Sequence, residues 1–519
     1  MNLERWRHNT RKRLRHRRQI NDYKIEMFFI IDYAVYKYWY TQSRAADMRQ
    51  RDAEAKNNIR QFYTFVINGM DVRYKNIQTS AFKISILFSG IYIADTPSKS
   101  QFIEKLKANS ASGYQVDSNA ALKAVTSWVK GTPGLPNYDH AMMFTRYDFT
   151  STGSSDTTGL AWLGTLCTDQ AVSVVEDHFN FNVITVAAHE LGHGLSAKHD
   201  GSGNSCNSDD AFVMAPSTIP VDNQNPWKFS ACSTYYFTNY INKLNRDNNN
   251  CMTVLSQDFD PDALKQYTAL PGEIYDADAQ CRHIVGPNSG FCKSIYRQNF
   301  MSVCTKLWCT RGDGSNGCVS AVAGDGIQCG NKKWCISGVC KYDECAPPGD
   351  ESCLYGDREG VAITYNGVDV TCSFEDIKKN PAVCYSVNTT CCRQCRNFYT
   401  GIIGCEYGDR ATGCSKSHCP GNPSLCCGTC YNGTLSTPSY QPTTQKNLNL
   451  CKMKATTPST TSNIEGYRNY LIYGGAVAVN LVLLIVICIC GLYHKRKQKH
   501  KSVPNSKLSG FTNRAMEYM

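Results

Sequence analysis

The 519-residue chain has no basic face in its body, although its formal net charge is +11. Residues 1–18 carry eight Lys/Arg against one Glu, and residues 493–519 carry seven against one Glu, so the stretch between them is slightly acidic. Nucleic-acid binding needs clustered cations on a folded surface, and that role is excluded. The regular alternation of paired CxxC units that a zinc-finger array shows is also lacking. The 28 cysteines are irregularly spaced, and 26 of them precede the apolar segment near the C-terminus. A reducing cytosol would leave them as thiols, so an oxidising compartment is expected. No apolar signal segment precedes residue 19, which suggests an incomplete N-terminus. The basic string Arg15-His-Arg-Arg18 looks like a proprotein-convertase site in a propeptide remnant, residues 1–21.

Long apolar runs are equally scarce. Leu471–Leu492 is 22 residues interrupted only by Asn480, long enough for a transmembrane helix. The basic string Tyr493–Lys501 follows at once and marks that end, residues 493–519, as cytoplasmic. The expectation is a single-pass type I protein of the plasma membrane, with everything before residue 471 extracellular. Asn388-Thr-Thr and Asn432-Gly-Thr are glycosylation acceptors on that side. Residues 431–470, rich in Ser, Thr and Pro, read as a stalk.

What remains divides by texture. Residues 22–255 alternate strands with helices. Ile25–Ile31 and Phe82–Ile93 read as strands, with a helical pattern over Ala45–Ile67 between them. Asp117 opens a helix through Trp128, ended by Gly131 and Pro133. Ala141–Phe144 and Leu160–Leu163 are short strands; Asn182 to about Leu195 and Thr234–Leu244 are helices. The alternation predicts an α/β fold, a twisted mixed sheet with helices packed against it.

From about residue 270, Gly, Pro, Asn and Cys replace apolar runs, and such a region depends on disulfides. It contains a repeat. Cys353-Leu-Tyr-Gly-Asp357 leads to Cys384-x6-Cys391-Cys392-x2-Cys395, and Cys405-Glu-Tyr-Gly-Asp409 leads to Cys419-x6-Cys426-Cys427-x2-Cys430. Cys372 and Cys414 complete the two sets of six. Two tandem three-disulfide modules follow over residues 343–430, their pairing left open.

The chemistry is concentrated in His189-Glu-Leu-Gly-His-Gly-Leu-Ser-Ala-Lys-His-Asp200. His189 and His193 stand four apart, so a helix presents both imidazoles on one face to one metal. Glu190 sits beside them as a base that is not a ligand. His199 follows six residues after His193, so the chain must turn back to deliver a third nitrogen. Three neutral imidazoles leave the fourth zinc position open to water, as a catalytic site requires. Phe212-Val-Met-Ala-Pro216 supplies Met214 for a Met-turn below the metal.

With these residues the sequence resembles the adamalysin (reprolysin) branch of the metzincins, the ADAM and ADAMTS proteases, over nearly all of residues 22–255. Asp200 after the third His marks that branch. Tyr23–Asp32 looks like its first strand and Tyr138–Thr145 like its third. Gly159–Gly164 resembles the edge strand on which substrate lies extended. The resemblance implies a zinc metalloendopeptidase acting on extracellular-matrix or cell-surface proteins, with one catalytic Zn2+ on His189, His193 and His199 and Glu190 as general base. It also implies the disulfides Cys167–Cys251 and Cys206–Cys232. Glu26 and Asp139 match two ligands of the family's Ca2+ site, although Val254 stands where the usual Asn would be. Ser196 replaces the family's Gly at the turn after the active-site helix. That turn needs a left-handed backbone, which costs a serine about 1–2 kcal/mol.

Residues 270–342 resemble the disintegrin-like module of ADAMTS proteins, and the two six-cysteine repeats resemble PLAC modules. No thrombospondin repeat follows. Arg311-Gly312-Asp313, the integrin-recognition tripeptide, lies in a Gly-rich stretch between Cys309 and Cys318. It supports a rival reading, a catalytically inert adhesion receptor that binds integrin through this loop. The intact Glu190 speaks against it.

Overall fold

Strand β1 (Asn21–Ile31) is wholly apolar from Met27 onward because both of its faces are covered there. Ile25, Met27, Phe29 and Ile31 enter one core, while Phe28 and Ile30 enter the other, as a side-chain period of two dictates. This computed structural model describes residues 21–431, apart from 112, 152, 156, 218–220, 258, 265, 297–298, 316, 359, 366 and 422. The chain divides into Met1–Ala455 and Thr456–Met519, and every described residue belongs to the first. Arg15, Arg17, Arg18, Asn432, the stalk beyond residue 431, the apolar run 471–492 and the tail 493–519 lie outside the described residues.

After β1 the Asp32 carboxylate accepts the Val35 N–H at 2.8 Å and opens helix α1 (Tyr33–Gln42). The sequence reading missed α1, because Tyr-Ala-Val-Tyr-Lys-Tyr-Trp-Tyr is aromatic and β-branched like a strand. Asp47 caps α2 (Met48–Lys75), which runs eight residues beyond its expected end. β2 (Phe82–Ile93) follows, then α3 (Ser118–Gly131), β3 (His140–Thr145), β4 (Gly159–Ala161) and β5 (Val172–Glu176). Helices α4 (Asn182–Gly194) and α5 (Ala231–Arg246) complete the domain, α5 starting three residues earlier than expected.

The five strands form one sheet in the order β2-β1-β3-β5-β4. All neighbours are parallel except β4, which runs antiparallel along the outer edge of β5. Helices α1, α2, α4 and α5 pack on one face, and α3 covers the other. Across the first layer, Tyr74 of α2 donates its hydroxyl to the Ala188 carbonyl at 2.9 Å, and Arg73 Nη2 donates to Thr185 Oγ1 at 2.9 Å. Both bonds fix α4 against α2. The fold is thus mixed α/β with a disulfide-rich C-terminal region.

Four disulfides cross-link the next segment: Cys281–Cys309, Cys292–Cys318, Cys304–Cys335 and Cys329–Cys340. The two repeats then pair alike. In each, the first cysteine joins the fifth, the second the fourth and the third the sixth: Cys353–Cys392, Cys372–Cys391 and Cys384–Cys395, then Cys405–Cys427, Cys414–Cys426 and Cys419–Cys430. The shared Tyr-Gly-Asp has a mechanical purpose. Asp357 accepts the Arg393 N–H at 2.6 Å, and Asp409 accepts the Thr429 N–H at 2.8 Å, so each aspartate caps the short turn carrying its module's last cysteines.

Among the described residues no helix is long and apolar enough to cross a membrane. The longest, α2, carries Arg49, Arg51, Asp52, Glu54 and Lys56 in its first half, and a span needs about 20 mostly apolar residues.

Candidate active site

Helix α4 is apolar apart from one stripe. Asn182, Val186, His189, Glu190 and His193 recur at helical spacing and line a cleft of about 1060 Å³. The helix stops where Ser196 adopts φ 72°. Ser196 N–H bonds the His193 carbonyl at 2.8 Å and Ala197 N–H the Gly192 carbonyl at 3.0 Å, the paired closure of a Schellman turn. Gly164 and Leu166 donate to the His193 and Gly194 carbonyls at 2.8 and 3.1 Å, so the loop after β4 satisfies the end of α4. The left-handed serine does not turn His199 away.

His199 Nε2 lies 3.1 Å from His189 Nε2 and 3.2 Å from His193 Nε2. The protons of two of these rings can be placed. His189 Nδ1 is 2.7 Å from the Val213 carbonyl and His193 Nδ1 is 2.8 Å from that of Ala197. A carbonyl only accepts, so each Nδ1 carries the hydrogen and each Nε2 presents a lone pair. Burial and the neighbouring imidazoles push His189 down to about 3, burial pushes His193 down to about 4, and burial lowers His199. His189 and His193 therefore each turn an Nε2 lone pair towards His199 Nε2, and the three nitrogens lie close enough together to hold one metal ion. Tetrahedral Zn–N bonds of about 2.0–2.1 Å require nitrogens about 3.3 Å apart, so donor type and spacing both fit zinc.

Glu190 is buried beside this cluster, and its Oε2 has no hydrogen-bond partner among the described residues. Burial pushes its carboxyl up to about 8. Opposite it stands Gly159 on β4, where an added Cβ would come within 2.8 Å of Glu190 Cδ. Gly159, Leu160 and Ala161 form the cleft's upper rim. They bond on one side to β5 and end the sheet on the other.

Met214 is fully buried below the histidines, and a Cβ on Gly192 would meet its Sδ at 2.6 Å. The Met214 carbonyl accepts the Asp200 N–H at 2.8 Å. Asp200 in turn accepts the Ser230 hydroxyl at 2.7 Å, and Ser230 is the N-cap of α5. The third histidine, the methionine turn and α5 are thus tied through one buried aspartate. Disulfide Cys206–Cys232 closes the loop around this turn, and Cys167–Cys251 ties the segment after β4 to the chain beyond α5.

Other expected residues lie apart from the cleft. Glu26 and Asp139 are buried neighbours, with the Glu26 N–H bonded to Asp139 Oδ2 at 2.8 Å. The Glu26 carboxylate accepts from Ser256, at 2.8 Å from its N–H and 2.5 Å from its hydroxyl, and Val254 is 74% exposed. Arg311 and Asp313 are exposed at the tip of the hairpin between Leu307–Thr310 and Cys318–Ala321. Asn388 is exposed at the end of a short helix.

Gly159 and Gly192 escaped the sequence reading as site residues. Gly192 lies inside the motif, where a glycine in a helix is unfavourable and so signals a close neighbour. Gly159 gives no such signal, since its partner is 31 residues away in sequence.

Residues 21–230 match the model of metallo-peptidase family M12 (reprolysin), and residues 271–341 that of ADAMTS cysteine-rich domain 2. The chain therefore carries a zinc metalloprotease domain of the reprolysin type followed by an ADAMTS cysteine-rich domain. It is similar to a disintegrin and metalloproteinase with thrombospondin motifs 1 from Mus musculus, 34% identical over 246 residues, which are 44% of this chain and 24% of that protein. A like-named Bombyx mori protein is 29% identical over 306 residues, 54% of this chain and 41% of its own. The chain spans about a quarter or less of the first mammalian relatives it matches. Among solved structures, archaemetzincin from Methanopyrus kandleri covers 41% of this chain and 93% of its own, at 15% identity and a TM-score of 0.24. The ADAMTS relatives are secreted rather than single-pass membrane proteins. With no membrane-length helix among the described residues, this corrects the expected placement as a type I plasma-membrane protein.

Proposed function

We propose that the chain is a zinc metalloendopeptidase acting on extracellular proteins, with residues 22–255 as its catalytic domain and residues 270–342 as a disintegrin-like module. One observation carries the reading: His199 Nε2 converges on the Nε2 atoms of His189 and His193, at 3.1 and 3.2 Å, and those two rings present lone pairs there. His189, His193 and His199 hold the metal, and the Val213 and Ala197 carbonyls fix the first two rings in the ligating tautomer. Zinc bound there supplies Lewis acidity, which acidifies water and polarises a peptide carbonyl.

The remaining work falls to the chain's own groups. The outer edge of β4 takes the substrate backbone as an added antiparallel strand. Glu190 accepts a proton from the attacking water and returns it to the departing amine. Met214 supports the histidines by packing, and Gly159 leaves room for the carboxylate.

The test is Glu190→Gln in the full chain. Peptide hydrolysis should fall at least about a thousandfold, within the range for loss of a general base, with one zinc per chain retained. Turnover close to wild type would remove Glu190 from the mechanism, and a zinc-free wild-type protein would remove the whole reading.

A second reading concerns adhesion, favoured by the exposure of Arg311 and Asp313 at a hairpin tip. It expects cell attachment that Asp313→Ala abolishes and a zinc chelator leaves intact. Attachment insensitive to Asp313→Ala would eliminate it.

A further inference from the structure

A hairpin of the cysteine-rich module reaches the loop that follows the methionine turn. Its strands, Lys333–Ile336 and Val339–Tyr342, are antiparallel, and Ile336 pairs with Val339. Ser337 and Gly338 alone therefore make the turn. Both have positive φ, 53° and 74°, as a type I′ hairpin turn requires. The tip meets Trp227. A Cβ on Gly338 would come within 2.8 Å of Cε3 and Cζ3, both in the six-membered ring of the indole. Trp227 is 3% exposed, although Asp222-Asn-Gln-Asn just before Pro226 is wholly polar. Beside this contact Lys306 of the module pairs with Asp222 at 2.8 Å.

From Trp227 a short path leads to the histidine cluster. The carbonyl of the next residue, Lys228, accepts the Val213 N–H at 3.0 Å. The Val213 carbonyl in turn takes the His189 Nδ1 proton at 2.7 Å. One peptide is thus held by the loop on one side and holds a ligating imidazole on the other. The module also touches the helix that carries His189. A Cβ on Gly324 would come within 2.7 Å of Phe181, the residue that opens α4. Asp325 accepts the Ser337 N–H at 2.8 Å, and its charge is within reach of Arg73. Arg73 Nη2 bonds Thr185 Oγ1 of α4 at 2.9 Å.

We propose that Gly338 and Trp227 are positioning residues for His189, so that the module's hairpin tip helps to hold the zinc site. This rests on the zinc reading above. A ligating imidazole binds best when its other nitrogen is held by a fixed acceptor, and the Val213 carbonyl is fixed only as well as Lys228 is. The described residues between Ser217 and Gln224 form no helix or strand that could anchor it. The indole wedged against a bare turn supplies that anchor, and glycine is needed there twice over, for its φ and for the space.

The experiment measures the rate at which the zinc-loaded full chain gives up its metal to a chromophoric chelator. Gly338→Ala should speed release about tenfold, the low end for lost support of a metal ligand. Alanine also strains the turn, so a second variant separates the two effects. Trp227→Phe removes the ring atoms that face Gly338 and should itself speed release about tenfold. In that background Gly338→Ala has nothing left to displace and should add less than about twofold. Release at the wild-type rate in either single variant would overturn the proposal. So would a full tenfold effect of Gly338→Ala on top of Trp227→Phe, since strain alone acts in both backgrounds. A wild-type chain that holds no zinc would overturn this inference together with the zinc reading, whereas a zinc-loaded chain indifferent to both variants would overturn this inference alone.

Discussion

Gly159 on β4 and Glu190 on α4 meet so closely that a methyl group on residue 159 would come within 2.8 Å of the Glu190 Cδ. The carboxylate proposed as base is positioned by the absence of a side chain on the facing strand. Two elements that are remote in sequence therefore share one constraint.

Gly159→Ala tests it. The backbone of residue 159 is ordinary strand, so the variant should fold and keep its zinc. The added methyl should displace Glu190 and lower kcat by about ten- to a hundredfold, as small misplacements of catalytic groups do. Unchanged kcat would show that the carboxylate has another stable position.

Ser196→Gly addresses the turn after α4. Ser196 sits at φ 72°, strained for any residue with a Cβ, and its hydroxyl lies against Gly164. Relief of about 1–2 kcal/mol of backbone strain, less the extra unfolded-state freedom of glycine at about 0.4–1 kcal/mol, predicts a small rise in thermal midpoint. A clear fall would mean that Ser196 makes a stabilising contact stronger than the strain.

His140 should make the fold acid-labile. It is fully buried, its Nε2 lies 2.8 Å from the Ser173 hydroxyl, and burial pushes it down to about 3. The unfolded state takes up a proton near pH 6.5, which the native state refuses until about 3. Its contribution is therefore complete above pH 6.5 and is lost as the pH falls towards 3, by at most about 1.4 kcal/mol per unit. Urea midpoints measured from pH 7 to 4 should fall more steeply for the wild type than for His140→Gln. Parallel curves would assign the acid sensitivity elsewhere.

Chelation should act on stability as well as on activity. A metal ion held by all three half-buried imidazoles binds only the native state, and such a ligand stabilises that state by mass action. Removing zinc should abolish hydrolysis and lower the thermal midpoint, and re-addition should restore both. An unchanged midpoint would mean that the apo site rearranges at little cost.

Much of this was legible before the structure. The spacing of His189 and His193 is a helical fact, and neighbouring Glu190 comes with it. The Met27–Ile31 half of β1 is equally local, because a strand stretch buried on both faces must be apolar throughout. α1 was missed since its aromatic and β-branched residues suit a strand, and only packing against α2 and β3 decides for helix. The disulfide pairing within the repeats was not legible, because six cysteines admit fifteen connectivities. The membrane placement rested on an apolar run outside the described residues, and secreted relatives overturn it.

The sequence by itself determined the class of chemistry, because periodicity and residue type alone bring two imidazoles and a carboxylate onto one helical face. Tertiary structure decided where His199 returns, how closely Gly159 approaches Glu190, and how Tyr74 of α2 holds Ala188 of α4. Those outcomes depend on contacts between segments tens to more than a hundred residues apart. Such contacts are set by the packing of whole layers, which no local pattern encodes.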